Sequence, residues 1–221
     1  MRFPYPWQRT RVKICGFTRP EDAACAVALG VDAVGLVFCE ASPRNVSVGQ
    51  AEAIVAAVPS FTAVVGLFVD AESQWIHEVC RQIRIDILQF HGDEPPDFCA
   101  SFAKPYVKAI RMKPEVDVGR EARIHTGAAG LLLDAYQPGV KGGTGLSFDW
   151  TRVGSGCSLP LILAGGLTPD NVRDALEIVR PYAVDVSSGV EADKGVKDSR
   201  KMAAFMRKVY QFDHERRNKF L

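Results

Sequence analysis

The chain has no apolar run approaching the ~18–20 residues that a membrane span needs. Its first ten residues carry two prolines and lack the apolar centre of a secretory signal, so a cytoplasmic, reducing compartment is expected. Neither sign of charge is in excess: 27 Lys and Arg stand against 26 Asp and Glu. That removes the composition argument for a nucleic-acid or membrane-surface binder, while one small anionic ligand needs only a local site. The six cysteines form no CxxC pair and the four histidines no HExxH pattern, so no metal site and free thiols are expected. No GxGxxG follows the first strand, which removes the dinucleotide fingerprint of an open doubly wound sheet. No linker or low-complexity stretch marks a second domain within the 221 residues.

What is present is a regular alternation. Strands are predicted at 12–15, 33–38, 63–69, 85–90, 106–111, 130–134, 161–164 and 183–186. Several are apolar throughout, such as Val34-Gly35-Leu36-Val37-Phe38, which implies burial on both faces of a parallel sheet. Between them lie helical stretches with start signals. Thr18-Arg19-Pro20-Glu21 and Ser47-Val48-Gly49-Gln50 read as capping boxes, and Thr168-Pro169 as an N-cap before a first-position proline. Met202, Phe205, Met206 and Val209 form one apolar stripe at helical spacing. The helical segments at 117–126 and 149–157 are short or Gly-interrupted. Eight βα units at about 28 residues each fit a TIM (β/α)8 barrel, expected to fill 11–212 between an extension at 1–10 and a tail at 213–221.

In that fold the active site lies at the C-terminal ends of the strands. Polar and glycine residues gather there: Lys13-Ile14-Cys15-Gly16, Ser42-Pro43-Arg44, Gln89-Phe90-His91-Gly92, Asp134, Ala164-Gly165-Gly166 and Asp185-Val186-Ser187-Ser188-Gly189. Small residues after strands 7 and 8 let a phosphate approach backbone N–H groups, so Gly165, Gly166, Ser187, Ser188 and Gly189 are candidate phosphate contacts. Each loop by itself also reads as a tight turn. The glycine-rich loop 139–145 lacks the Gly-Lys-Ser/Thr ending of a P-loop and reads as a covering loop or a solvated turn. Cys25, Cys80 and Cys99 read as packing residues, and His77, His125 and His214 as surface or packing residues.

The same segments, with Leu133-Asp134, Gly142-Gly143-Thr144-Gly145, Phe148-Asp149-Trp150, Leu167-Thr168-Pro169 and Val190-Glu191, resemble in residue and order the phosphoribosylanthranilate isomerase family. The resemblance covers residues ~11–206, and its specificity lies in the ordered set. Phe17 and Phe90 stand where that family more often carries an aliphatic residue. The resemblance implies a barrel of the ribulose-phosphate-binding type and an Amadori rearrangement in tryptophan biosynthesis, with no cofactor or metal. It assigns the base to Cys15 and the acid to Asp134.

A cysteine base needs its thiol pKa brought down, and Lys13 shares its strand face. An aspartate acid needs its carboxyl raised by burial. Arg44 fits the anthranilate carboxylate through its planar fork, or is a solvated loop residue. His91 lines the pocket or is structural, and Asp185 orients substrate hydroxyls or binds its own loop. The expected partner is a phosphosugar, with the chain as monomer or homodimer and neither nucleic acid nor membrane involved. The alternatives are another phosphosugar barrel enzyme, such as an indole-glycerol-phosphate synthase or a histidine-pathway isomerase, or a barrel that only binds such a ligand. The first of these predicts other strand-end groups than Cys15 and Asp134.

Overall fold

Alternation of side chains decides what each strand presents to the two sides of the sheet. In a computed structural model describing residues 9–135, 148–153 and 157–218, eight strands run parallel. They are β1 (Arg11–Cys15), β2 (Ala33–Val37), β3 (Ala63–Phe68), β4 (Ile87–Phe90), β5 (Tyr106–Arg111), β6 (Gly130–Asp134), β7 (Leu161–Leu163) and β8 (Ala183–Val186). Each pairs with the next, and β8 closes on β1 from Arg11↔Ala183 to Ile14↔Val186. The expected barrel is therefore found. Residues 1–8, the loop 139–145 and residues 219–221 lie outside the described residues.

Around the sheet lie α1 (Pro20–Ala28), α2 (Val48–Ala56), α3 (Ser73–Gln82), α4 (Pro96–Ala100), α5 (Val118–Ile124), α6 (Val172–Val179) and α7 (Ser199–Asn218). Val12, Ile14, Val34, Leu36, Leu88, Val184 and Val186 face these helices in the largest apolar core. The other parity points inward. Val107, Ala109, Leu132 and Ala164 make an apolar layer inside the barrel. Two residues further along the strands, Cys15 and Asp134 reach the mouth. The stripe on α7 behaves as expected, with Met202, Phe205, Met206 and Val209 all buried.

The weak sixth unit is as thin as its sequence suggests: where a helix would follow β6, the described residues hold a single 3-10 turn, Trp150–Arg152. Strand ends at 38, 69 and 164 fall one residue short of expectation, although the Phe38 and Ala164 N–H groups still donate to the Leu67 and Leu133 carbonyls of neighbouring strands. β4 starts two residues later than expected, where Asp86 turns its carboxylate to accept from the Val64 N–H (2.8 Å).

Two of the three expected helix starts need correction. Ser47 and Gln50 do form the reciprocal capping box. Thr18 does not cap α1: its hydroxyl donates to the Gly195 carbonyl at 2.6 Å, and Arg19 stands at the N-cap. A long-range bond outbids the local one. Thr168-Pro169 belongs to the turn before α6, where the Thr168 N–H donates to Asn171 Oδ1 (2.8 Å) and Asn171 takes the N-cap position. After β8 the chain adds an antiparallel pair absent from the sequence reading, β9 (Glu191–Asp193) and β10 (Val196–Lys197).

Candidate active site

The C-terminal ends of the strands enclose a cleft of about 690 Å³. Cys15, Arg44, His91, Asp134 and Asp185 line it, as do Gly165, Gly166, Ser187 and Ser188. Sequence reading placed all nine at strand ends, and here they share one cavity.

On one side Cys15 ends β1. Lys13, two residues earlier on the same face, extends beside it and forms an ion pair with Asp185 of β8, Nζ to Oδ2 at 2.9 Å. The neighbouring strand makes room: a Cβ on Gly35 would lie 2.7 Å from Cys15 Sγ and 3.1 Å from Lys13 Cε. Burial pushes the Cys15 thiol up, and the Lys13 ammonium, hydrogen-bonded to it, works against burial without cancelling it. Lys13 favours the thiolate, as its place on the same strand face suggests, but desolvation outweighs it. Burial also lifts the Asp185 carboxyl against the pull of Lys13. For Lys13 itself, burial presses the ammonium down, yet Asp185 and Cys15 together hold it above its ordinary value. Asp185 Oδ1 is buried and has no hydrogen-bond partner among the described residues, so it is an acceptor ready for a ligand hydroxyl.

On the other side Asp134 ends β6, fixed through Oδ1 by the Ala135 N–H (2.9 Å). Its Oδ2 lies 3.0 Å from His91 Nε2, and His91 Nδ1 lies 3.0 Å from the Gln89 amide nitrogen. With that amide assigned as donor, His91 carries its proton on Nε2 and donates to Asp134. With the amide turned, the order reverses and Asp134 donates to His91. The second arrangement holds one proton more than the first: the amide turns, the Nε2 proton passes to Asp134, and Nδ1 takes up another. Gly165, with φ +77°, backs this corner, and a Cβ there would meet Asp134 Oδ1 at 3.0 Å as well as the Ala135 N–H.

Arg44 enters from the loop after β2, its stem lying over Gly16, where a Cβ would strike Arg44 Cδ. It is buried, not a solvated loop residue. Its Nε and Nη2 meet Glu191 at 2.7 and 2.8 Å, so Glu191 holds one edge of the fork and leaves the Nη1 side for other contacts. Gly166 also has positive φ (+64°), and the Ser187 hydroxyl donates to the Cys15 carbonyl at 2.9 Å. Gly189 sits against the Leu167 carbonyl, too close for any Cβ, and so holds the loops after β7 and β8 together.

Gln89, Glu191 and Lys197 also belong to the site, and none of them is a candidate from sequence alone. Gln89 and Glu191 fall inside segments already singled out, and their signal was position. Lys197 carried none, because nothing in the sequence shows that β10 folds back under the site. Among the described residues, no group of three or more His, Cys, Asp or Glu is placed to hold a metal ion, and no helix is long and apolar enough to cross a membrane.

Comparison with known proteins agrees with this geometry. Residues 12–208 match the family model described as N-(5'phosphoribosyl)anthranilate (PRA) isomerase. A curated protein of that name from Nitrosococcus oceani is 57% identical over 201 residues, 91% of this chain and 98% of its own length. One from Pseudomonas fluorescens is 55% identical over 199 residues, 90% of this chain and 95% of its own length. The crystal structure of phosphoribosyl anthranilate isomerase from Thermotoga maritima superposes with a TM-score of 0.84 at 38% identity, covering 91% of this chain and 99% of that one.

Proposed function

Because the chain belongs to the N-(5'-phosphoribosyl)anthranilate isomerase family and is an isomerase of tryptophan biosynthesis, we propose how its cleft carries out that reaction, with Cys15 as the base and Asp134 as the acid. The reaction is the Amadori rearrangement of N-(5-phosphoribosyl)anthranilate to 1-(2-carboxyphenylamino)-1-deoxyribulose 5-phosphate. Asp134 gives a proton to the furanose ring oxygen, the C1–O bond breaks, and the anilino nitrogen's lone pair forms the C1=N bond of a protonated Schiff base. The Cys15 thiolate then takes the proton from C2, and the electrons of that C–H bond form the C1=C2 bond of an enolamine. Tautomerisation returns a proton to C1 and leaves the ketone at C2. Atoms and electrons balance with no outside oxidant or reductant.

The observation that carries this assignment is the placement of Cys15 and Asp134 on opposite sides of one cleft, each with its own proton-controlling partner. Arg44 takes the anthranilate carboxylate through its free edge. The backbone of Gly165, Gly166, Ser187 and Ser188 takes the phosphate, with Gly189 joining the two loops. Lys13 and the unpaired Asp185 oxygen face the sugar hydroxyls. The chain works in the cytoplasm on a phosphosugar, as a monomer or homodimer.

The test is turnover of phosphoribosylanthranilate by the purified chain beside Cys15→Ala and Asp134→Ala. An inactive wild type, or two variants with near wild-type kcat, would remove the assignment. Activity survives a chelator; loss that zinc or magnesium restores would bring a metal into the mechanism. Arg44→Ala raises KM more than it lowers kcat, and an unchanged KM would take Arg44 out of the carboxylate site.

A further inference from the structure

A buried cation beneath the cleft has no part in the proton transfers. The Lys197 side chain on β10 has no solvent exposure. Its ammonium donates to the Cys15 carbonyl at 2.6 Å, to Glu191 Oε1 at 2.8 Å and to the Ser187 carbonyl at 3.3 Å. It stands 5.6 Å from the centre of the Phe17 ring. Each contact belongs to a different part of the site. The Cys15 carbonyl is the end of β1, which carries the base. Ser187 opens the loop after β8. Glu191 holds the Nε and Nη2 edge of Arg44. An ammonium has three protons, and these three acceptors use them all.

The charges in this cluster are unequal. Arg44 and Lys197 bring two positive charges to the single carboxylate of Glu191, and all three residues are buried. Arg44 and Lys197 pull the Glu191 carboxyl below its ordinary range although burial, the largest effect, pushes it up. Burial pushes the Lys197 ammonium down against the pull of Glu191. A buried cluster one anion short favours an incoming anion, and Glu191 has already fixed which edge of Arg44 can meet it.

We propose that Lys197 is a positioning residue that sets both ends of the bound phosphosugar: through Glu191 it orients Arg44, and through the Cys15 and Ser187 carbonyls it holds the base strand against the phosphate loop. This deepens the reading above and rests on it for the role of Arg44. It also gives the β9–β10 pair a purpose, which is to deliver Lys197 beneath the site.

The full-length chain is compared with Lys197→Met, Glu191→Gln, Arg44→Ala and the double variant Glu191→Gln/Arg44→Ala. KM and kcat are read with phosphoribosylanthranilate, and inorganic phosphate is used as a competitive inhibitor to probe the phosphate end alone. Glu191→Gln is expected to raise KM about tenfold, with a smaller fall in kcat and phosphate inhibition within about twofold of wild type. In the Arg44→Ala background the same change adds less than about twofold, since its route is gone. Lys197→Met raises KM further and weakens phosphate inhibition at least about threefold. The proposal is overturned if Glu191→Gln costs as much without Arg44 as with it, or if Lys197→Met inhibits with phosphate as wild type does. Where Lys197→Met does not fold, Lys197→Arg, which keeps the charge and changes the donor geometry, is read by the same two measurements against the same expected directions. An unchanged KM for Arg44→Ala defeats the carboxylate reading, a different failure, because phosphate inhibition still reports on the Lys197 bonds to the Cys15 and Ser187 carbonyls.

Discussion

The two sides of the cleft are buried to similar depth yet control their protons differently. The Cys15 side is governed by full charges, an ammonium and a carboxylate 2.9 Å apart beside a thiol. The Asp134 side is a line of hydrogen bonds, Gln89 to His91 to Asp134, with each step at 3.0 Å. Charge acts over distance and shifts an equilibrium, which suits a base that must be partly ionised before substrate arrives. A hydrogen-bonded line moves a proton without building net charge, which suits a group that gives up one proton and needs another for the next turnover. Asp185 is where the two meet, since its carboxyl responds to Asp134 and His91 as well as to Lys13.

The largest effects come from removing either end group. Cys15→Ala and Asp134→Ala should each lower kcat about a thousandfold, read by steady-state turnover. If one costs much less, the division into one base and one acid is wrong. Next comes Lys13→Met, which should separate charge from packing. The thiol already lies above its ordinary value because burial outweighs Lys13. Less than half of it is thiolate near neutral pH, and kcat/KM should climb with pH in the alkaline range. Without the ammonium, burial acts with less opposition and the thiol rises further. The alkaline limb should therefore move up by about one pH unit, and kcat/KM at pH 7.5 should fall about tenfold. The pH dependence of Cys15 alkylation by iodoacetamide, followed at the peptide level, should move the same way. A limb that stays in place would mean that Lys13 serves only the sugar.

The eight strands were legible because their apolar runs are short and regular, and most are buried on both faces, as in Gly130–Asp134. The positions of Cys15, Asp134, Arg44 and the two small-residue loops were legible because the fold carries function at strand ends. The caps at Thr18 and Thr168 were misread for a common reason: a hydroxyl or a turn that satisfies a local rule was taken by a partner far along the chain or by a different local bond. The Arg44–Glu191–Lys197 cluster was beyond the sequence for that same reason. Contacts spanning 147 residues from Arg44 to Glu191 and 182 from Cys15 to Lys197 leave no periodic trace. The order of protons along Gln89, His91 and Asp134 was equally hidden, because it depends on which atom of an amide faces a ring.

That order yields the smaller effects, and they bear most directly on the contrast between the two sides. His91→Ala leaves Asp134 Oδ2 without its partner and should lower kcat about tenfold, with the alkaline limb set by Cys15 nearly unmoved. Gln89→Leu keeps the volume and removes only the amide that fixes the ring. His91 Nδ1 then loses its partner inside the barrel, at the cost of one buried hydrogen bond. The ring can populate both tautomers, and only one is correctly set for a given direction of transfer to Asp134. The expected fall in kcat is therefore small, about threefold, with KM little changed. The alkylation profile of Cys15 should stay within about 0.2 pH units of wild type, since no charge has been altered on its side. A clear shift of that profile in Gln89→Leu would show that the hydrogen-bonded line reaches the thiol through Asp185. The two halves would then titrate as one coupled set rather than as neighbours.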